Sequence, residues 1–375
     1  MNLLKKLWRN FLWQVLSFLP KQPKKAVCQS YYGRGYSDSP RAVAEELKRR
    51  RWKVYWVVKG PAEAATLPEG IIPIVLDSAK AIYQLCTASV WVDNCRKWAY
   101  TQKRGKTCYV QTWHGFPLKR IEGDAAEALE PDYLKAAKKD SRLADLFLSD
   151  SSFLTGIYRR AFWYDGPVLE CGFPRNDVLV HGDPAAERAA REALQLPDDV
   201  KLLLYAPTFR KDFGLAAYDV DYARCVKALE ARFGGKWLIL ARLHPNIAGK
   251  AKELNLDPNY IRNASDYPDI QDLYLISDAL LTDYSSVMFD YLPTGKPCFL
   301  YVNDLGAYRD DRNFTFDLEK LPYPRATTND ELQAAIEQYD ADAQKEAVAA
   351  FTKEFGINTD GNAARLCVDT LEQNT

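Results

Sequence analysis

The sequence predicts an α/β protein of two Rossmann-like domains facing a central cleft, preceded by an N-terminal amphipathic helix. Three observations carry this. From residue 26 onward, short and nearly continuous apolar runs alternate with longer helical patterns, as buried parallel strands and their crossover helices do. The runs fall into two series, separated by the Ala-rich, charged segment 182–199. The first 25 residues stand apart, with six basic side chains and no acid.

Composition bounds the answer before any motif is read. The chain has 375 residues, 47% hydrophobic and 27% charged, too polar for a polytopic membrane protein and too apolar for a disordered one. Fifty basic residues balance 50 acidic ones, so nucleic acid is not expected as a partner. The 8 cysteines form no CxxC pair, and several lie in strand-like runs. They read as small buried hydrophobes of a reduced, cytoplasmic protein.

Residues 3–19 place Leu3, Leu4, Leu7, Trp8, Phe11, Leu12, Val15, Leu16 and Leu19 on one helical face, with Lys5, Lys6, Arg9, Asn10 and Gln14 opposite. This run is too short and too interrupted to cross a bilayer, which needs roughly 20 apolar residues. It also lacks the small-residue cleavage site of a signal peptide. Aromatic rings on one face and cations on the other suit a helix lying in a lipid interface; packing on the protein's own core is the alternative.

Strands are expected at 53–58, 71–76, 89–93, 108–113, 145–150 and 167–171. The second series is 201–207, 236–242, 260–264, 278–283 and 297–301. Helical patterns cover 40–50, 186–195, 221–233, 284–294 and the stretch from about 328 onward. The resulting domains are 1–25, the amphipathic helix; 26–185, an N-terminal Rossmann-like domain; and 186–375, a C-terminal Rossmann-like domain.

The chemistry-bearing motifs follow predicted strands, where α/β proteins keep their sites. In QTWHGFPLK, His114 stands at a strand end, able to take a proton near neutral pH, although a lone histidine can also be satisfied in a turn. In LARLHP, Arg242 and His244 end another strand and can meet a phosphate together. In DYSSVMFDY, Asp283 closes a strand, and Ser285 and Ser286 open a helix whose N–H groups can cradle an anion. Capping alone would explain Ser285. Asp290, a turn further on, can accept from ribose hydroxyls. In YAPTFRK, Arg210 can neutralise a pyrophosphate, and Lys211 reads more readily as solvated. GFPRND offers Arg175 in a turn, either as a ligand contact or as a structural tie. His181 reads as a surface residue. No GxxxxGK[ST], HExxH or His-rich cluster occurs, and the two DxD patterns, at Asp219 and Asp340, lie at helical segments.

Taken in order, QTWHGFPLK, GFPRND, YAPTFR, RLHP and DLYLISDALLTDYSSVMFDYLPTGKP resemble the CDP-glycerol glycerophosphotransferase family of bacterial teichoic acid synthesis. The likeness runs over roughly residues 28–365, with Tyr31, Tyr32, Gly33 and the segment Tyr36–Pro40 fitting the family's opening pattern. It implies a GT-B-like fold with the donor held mainly by the C-terminal half. It implies no metal and no cofactor, CDP-glycerol being the donor substrate. It makes His114 the base for the acceptor hydroxyl and puts His244 near the donor phosphates. Ser285 and Ser286 become the hydroxyl pair at the pyrophosphate, with Lys119 and Arg210 neutralising charge. Arg242, Asp283 and Asp290 complete the candidate binding set. The implied partners are an undecaprenyl-linked glycan acceptor and the cytoplasmic face of the cell membrane, and a homo-oligomer is compatible with the sequence.

The chain's length fits a primase adding one glycerol phosphate to a lipid-linked disaccharide, or an enzyme of a capsular polymer. A CDP-ribitol-using transferase shares the framework. A GT-B nucleotide-sugar glycosyltransferase would share the phosphate cradle but transfer to an anomeric carbon. A silent nucleotide- or lipid-binding protein would not need His114 and His244.

Overall fold

The computed structural model describes residues 3–208, 218–243, 257–306 and 313–374. It divides into two compact units: Met1–His114, Ile121–Asp177 and Gly356–Thr375 form the first, and Gly115–Arg120 with Val178–Phe355 form the second.

The first unit is built on β1 (Gln22–Gln29), β2 (Lys53–Val58), β3 (Ile71–Val75), β4 (Ala88–Asp93), β5 (Cys108–Gln111), β6 (Leu146–Ser149) and β7 (Val168–Glu170). They pair in the order β3-β2-β1-β4-β5-β6-β7, every described pair parallel. Both faces are buried, and the alternation of side chains sorts them. Val27, Tyr55, Val57 and Trp91 enter one core. Ala26, Cys28, Val54, Trp56 and Val58 enter the other. The sequence reading omits β1, which is the strand joining the two halves of the sheet. Lys24 and Lys25 disguise it, yet Lys25 is buried, its ammonium on the Thr87 hydroxyl and 5.3 Å from the Tyr55 ring centroid. Loss of water pushes its pKa down to about 8.

The second unit carries β8 (Val200–Tyr205), β9 (Lys236–Ala241), β10 (Ile261–Asn263), β11 (Ala279–Thr282), β12 (Cys298–Tyr301) and β13 (Arg325–Ala326). Their order, β10-β9-β8-β11-β12-β13, repeats the topology of the first sheet, again all parallel. In each sheet the order reverses beside the first strand of the unit, the switch point where such folds bind ligands.

The expected domain boundary needs correcting at both ends. The division falls at Asp177, and the last helix, Ala363–Asn374, belongs to the first unit rather than to 186–375. Its Cys367, Val368 and Leu371 fill the same core as Val43, Ala44 and Leu47 of the helix Asp38–Arg49. The Asp177 carboxylate caps its start, accepting from the Ala363 and Ala364 N–H groups at 3.0 and 2.8 Å. Gly172, at φ 91°, lets this segment approach: a side chain there would lie 3.1 Å from the Asn358 carbonyl oxygen.

The N-terminal helix, Leu3–Leu16, packs on the first unit through Trp13, edge-on to Trp91 at 6.2 Å, with Leu12 and Leu16 beside it. Arg9, expected on the solvated face, is buried instead: it pairs with Asp77 at 3.4 Å and lies 3.3 Å over the Tyr100 ring. Exposed beside Lys6 and Gln14 are the apolar Leu4, Leu7, Trp8, Phe11 and Val15, followed by Phe18. No helix among the described residues is long and apolar enough to cross a membrane.

Candidate active site

His114 leaves the end of β5 over a short, tightly bonded turn. Gln111 points inward, donating to the Cys95 carbonyl at 3.0 Å and accepting from the Trp113 N–H at 2.9 Å. The Thr112 N–H donates to the Asp93 carbonyl at 2.8 Å, extending the β4–β5 ladder by one step. Trp113, at φ 53°, then turns the chain and packs edge-on against Phe162 at 4.7 Å. These contacts hold the half-buried imidazole in one place.

His114 Nδ1 lies 2.7 Å from the Asn94 carbonyl oxygen. A carbonyl can only accept, so Nδ1 carries the hydrogen and Nε2 is left as the basic nitrogen. Desolvation holds the His114 pKa below its ordinary value, against the Asn94 carbonyl and the Asp38 carboxylate, which favour the cation. The ring is therefore neutral and ready to accept a proton at pH 7.

Asn94 begins a loop, residues 94–101, that the sequence reading passed over. Its side-chain oxygen accepts from the Tyr31 N–H at 2.9 Å. The loop is pinned from below by Arg96, which is buried and reaches Glu122 at 3.2 Å, Asp140 at 3.3 Å and the Ser141 hydroxyl at 2.8 Å. Lys97 pairs with the buried Asp93 at 2.5 Å.

A second tie comes from GFPRND. Arg175 is buried and pairs with Asp38 at 3.1 Å, which also accepts from the Tyr31 hydroxyl. Burial alone would raise the Asp38 pKa, but Arg175, Tyr31 and the Ser39 N–H carry it below the ordinary carboxylate value. Arg175 is thus a structural tie inside the first unit, to a segment whose Tyr31, Tyr32 and Asp38 all have positive φ. The Tyr31 ring stands 6.1 Å from that of His114.

The motif that carries His114 divides between the units, and Lys119 falls in the second. There Lys119 bridges antiparallel to Phe314, and the Thr315 hydroxyl donates to the Pro117 carbonyl at 2.6 Å. Phe116 enters an aromatic cluster with Phe289 at 4.5 Å, Phe355 at 5.9 Å and Phe351 at 6.2 Å. Phe289 comes from the DYSSVMFDY motif, so two of the sequence motifs meet in one hydrophobic cluster.

In that second motif, the expected helix 284–294 is a four-residue helix, Val287–Asp290, followed by a 3-10 turn, Leu292–Thr294, that Gly295 ends in the left-handed region at φ 62°. Ser285 and Ser286 are half-buried at its start. Ser286 makes no side-chain cap, and Ser285 accepts only a long 3.5 Å bond from the Val287 N–H. Capping therefore does not account for either hydroxyl. Asp290 is buried at the end of the helix.

Two other candidates have work inside the fold. The Asp283 carboxylate accepts from the Thr208 N–H at 2.8 Å and from its hydroxyl at 2.6 Å, fixing the start of the segment that leads to Arg210. Arg242 Nη1 donates to the carbonyls of Ala264, Ser265 and Tyr267, tying down the turn after β10. That nitrogen holds the loop at 264–267 in place. His244, Arg210 and Lys211 lie outside the described residues. The DxD patterns serve helix starts: Asp221 accepts from the Arg224 N–H and Asp340 from the Asp342 and Ala343 N–H groups. His181 is exposed at the end of a short helix, as expected.

Twin parallel sheets of one topology, each with a candidate loop at its strand ends, define a GT-B-like fold. The wall teichoic acid polymerase TagF shares it: a solved variant is 30% identical, with a TM-score of 0.84 over 98% of this chain and 93% of that one. Another TagF form, soaked with CDPG, gives a TM-score of 0.83. The family model described as CDP-Glycerol:Poly(glycerophosphate) glycerophosphotransferase matches residues 11–373, and the chain belongs to that family. Among its relatives, the teichoic acid glycerol-phosphate transferase of Staphylococcus aureus is 33% identical over 99% of both chains. The teichoic acid poly(glycerol phosphate) polymerase of Bacillus subtilis is also 33% identical, over 96% of this chain, which spans 50% of that protein's length.

Proposed function

We propose that the protein transfers glycerol phosphate from CDP-glycerol to a hydroxyl of a lipid-linked glycan, releasing CMP, in the synthesis of a teichoic acid or related surface polymer. The observation that carries this reading is the 2.7 Å contact between His114 Nδ1 and the Asn94 carbonyl, which leaves Nε2 free to act as a base. The acceptor oxygen bonds to the glycerol-bearing phosphorus as its proton passes to His114 Nε2. The bond from that phosphorus to the bridging oxygen breaks, and CMP departs with the electron pair. A charged pyrophosphate repels its nucleophile, so positioning and charge neutralisation do most of the catalysis.

On this reading Ser285 and Ser286, with hydroxyls that capping does not require, hold the donor phosphates alongside Lys119, Arg210 and His244. Asp283 acts one step back, by holding Thr208 just beyond the end of β8. The reaction needs no metal: cations and backbone N–H groups meet the charge.

The protein works at the cytoplasmic face of the membrane, held by the exposed apolar face of its first helix. Leu4, Leu7, Trp8, Phe11 and Val15 follow helical spacing, and an interface absorbs such a face while the opposite side stays docked on the protein.

The test is CMP release from CDP-glycerol by the purified protein with a synthetic lipid disaccharide, beside the same assay with CDP-ribitol. Acceptor-dependent CMP release with CDP-glycerol supports the reading. Turnover of CDP-ribitol alone would move the assignment to ribitol phosphate, and turnover of a nucleotide sugar alone would leave only the fold.

A further inference from the structure

The loop that orients His114 also builds an exposed aromatic strip. Four residues beyond Asn94, Trp98 stands 43% exposed. Its ring lies 4.9 Å from that of Tyr32 and 6.3 Å from that of Tyr100, within 7° of parallel to the latter. At one end the strip adjoins Tyr31, whose ring faces His114. At the other end Tyr100 lies under Arg9 of the N-terminal helix. The rings of Tyr32, Trp98 and Tyr100 thus run to the helix proposed to lie on the membrane, and Tyr31, next to Tyr32 in the chain, stands beside the proposed base.

We propose that Tyr32, Trp98 and Tyr100 bind the sugar rings of the acceptor's glycan, with its lipid toward the N-terminal helix and its reactive hydroxyl toward His114. This rests on the acceptor reading above. An exposed tryptophan between two tyrosines does not serve the core, and a soluble protein keeps such a patch for a ligand or a partner. The chemistry around it selects the ligand. A part-exposed carboxylate borders the rings: Asp77 accepts from the Tyr100 hydroxyl. A sugar ring has that same division, with C–H bonds on a face that suits the negative face of an aromatic ring, and hydroxyls at its rim. A prenyl chain has no rim of hydroxyls to match that carboxylate, and its natural place is the apolar face of the first helix. Rigidity supports the assignment, because the buried Arg96 fixes the loop and so presents Trp98 without an ordering cost on binding.

The experiment is saturation-transfer NMR on the full chain, with N,N′-diacetylchitobiose as the saccharide probe and a short prenyl phosphate as the lipid probe. The wild type should saturate the ring C–H protons of the disaccharide. Trp98→Ala should weaken that binding about tenfold, the size of one good stacking contact, and Trp98→Phe should restore much of it. Thermal melting of both variants checks the fold, and Tyr32→Ala gives an independent reading of the same strip. Equal saccharide binding by the wild type and Trp98→Ala overturns the proposal, as does binding of the prenyl phosphate without the saccharide, or of neither. Because the probes require no turnover, a wild type that binds saccharide through Trp98 but releases no CMP would sink the proposed reaction and leave the strip standing.

Discussion

The Asn94 carbonyl fixes the tautomer of His114, at 2.7 Å from Nδ1. A backbone acceptor is a stronger constraint than a side chain would be, because it stays in place as long as the β4–β5 connection does. Substituting His114 by Ala should therefore lower kcat by about 10²–10⁴-fold, the range for a positioned general base, with little effect on the melting temperature. A steady-state comparison of CMP release reads this directly. A change under threefold would remove His114 from the mechanism.

The same geometry sets a pH dependence. Loss of water lowers the His114 pKa, so the base remains neutral down to a lower pH than free imidazole would. The acid limb of kcat/KM should fall below about pH 6.5, the ordinary histidine value. Activity is present above the lowered pKa and disappears as pH drops through it. A limb centred above pH 7 would contradict the desolvated site.

Arg175 and Asp38 form a buried pair, with side chains 3% and 5% exposed. Arg175→Met should destabilise the protein by about 3 kcal/mol, since it leaves a carboxylate buried without its counter-charge. Because the folded Asp38 pKa is depressed, its contribution is present above the ordinary aspartate value and is lost as pH falls through the folded one. The melting temperature of the wild type should therefore drop more steeply than that of Asp38→Asn in acid. Parallel slopes would show the pair to be incidental.

Asp283 makes two bonds to Thr208. Asp283→Ala should cost about 2 kcal/mol by removing the acceptor of the half-buried Thr208 N–H and hydroxyl, and should raise the KM for CDP-glycerol. Denaturant unfolding and donor titration separate the two effects. An unchanged donor KM would confine Asp283 to stability.

Replacing Trp8 and Phe11 by Glu should reduce binding to anionic lipid vesicles by at least about tenfold, since burial of one such ring is worth about 1.5–3 kcal/mol. Both side chains are more than half exposed, so folding should be unaffected. Sedimentation with vesicles measures the change, and retention of full binding would place membrane contact elsewhere.

The sequence by itself determined the two-sheet α/β architecture, because buried parallel strands leave short apolar runs, and here those runs alternate with longer helical patterns in two series. It also singled out His114 and the Ser285–Ser286 pair as candidates, since polar residues directly after such runs are conspicuous. Tertiary structure decided the rest. Lys25 conceals β1, because a lysine counts as exposed until Thr87 and Tyr55 are seen around it. Arg9 reads as a solvated cation until Asp77 and Tyr100 are brought to it, and the bonds from Arg242 Nη1 to the carbonyls of 264–267 are likewise set by parts of the chain more than 20 residues away. The helix Ala363–Asn374 joins the first unit through a core contact that no local pattern encodes. Asn94 acts through its backbone oxygen, and the strip at Trp98 depends on rings from separate segments. Local patterns specify which face of an element is apolar, whereas partners more than a few residues apart are set only by where the chain folds back on itself.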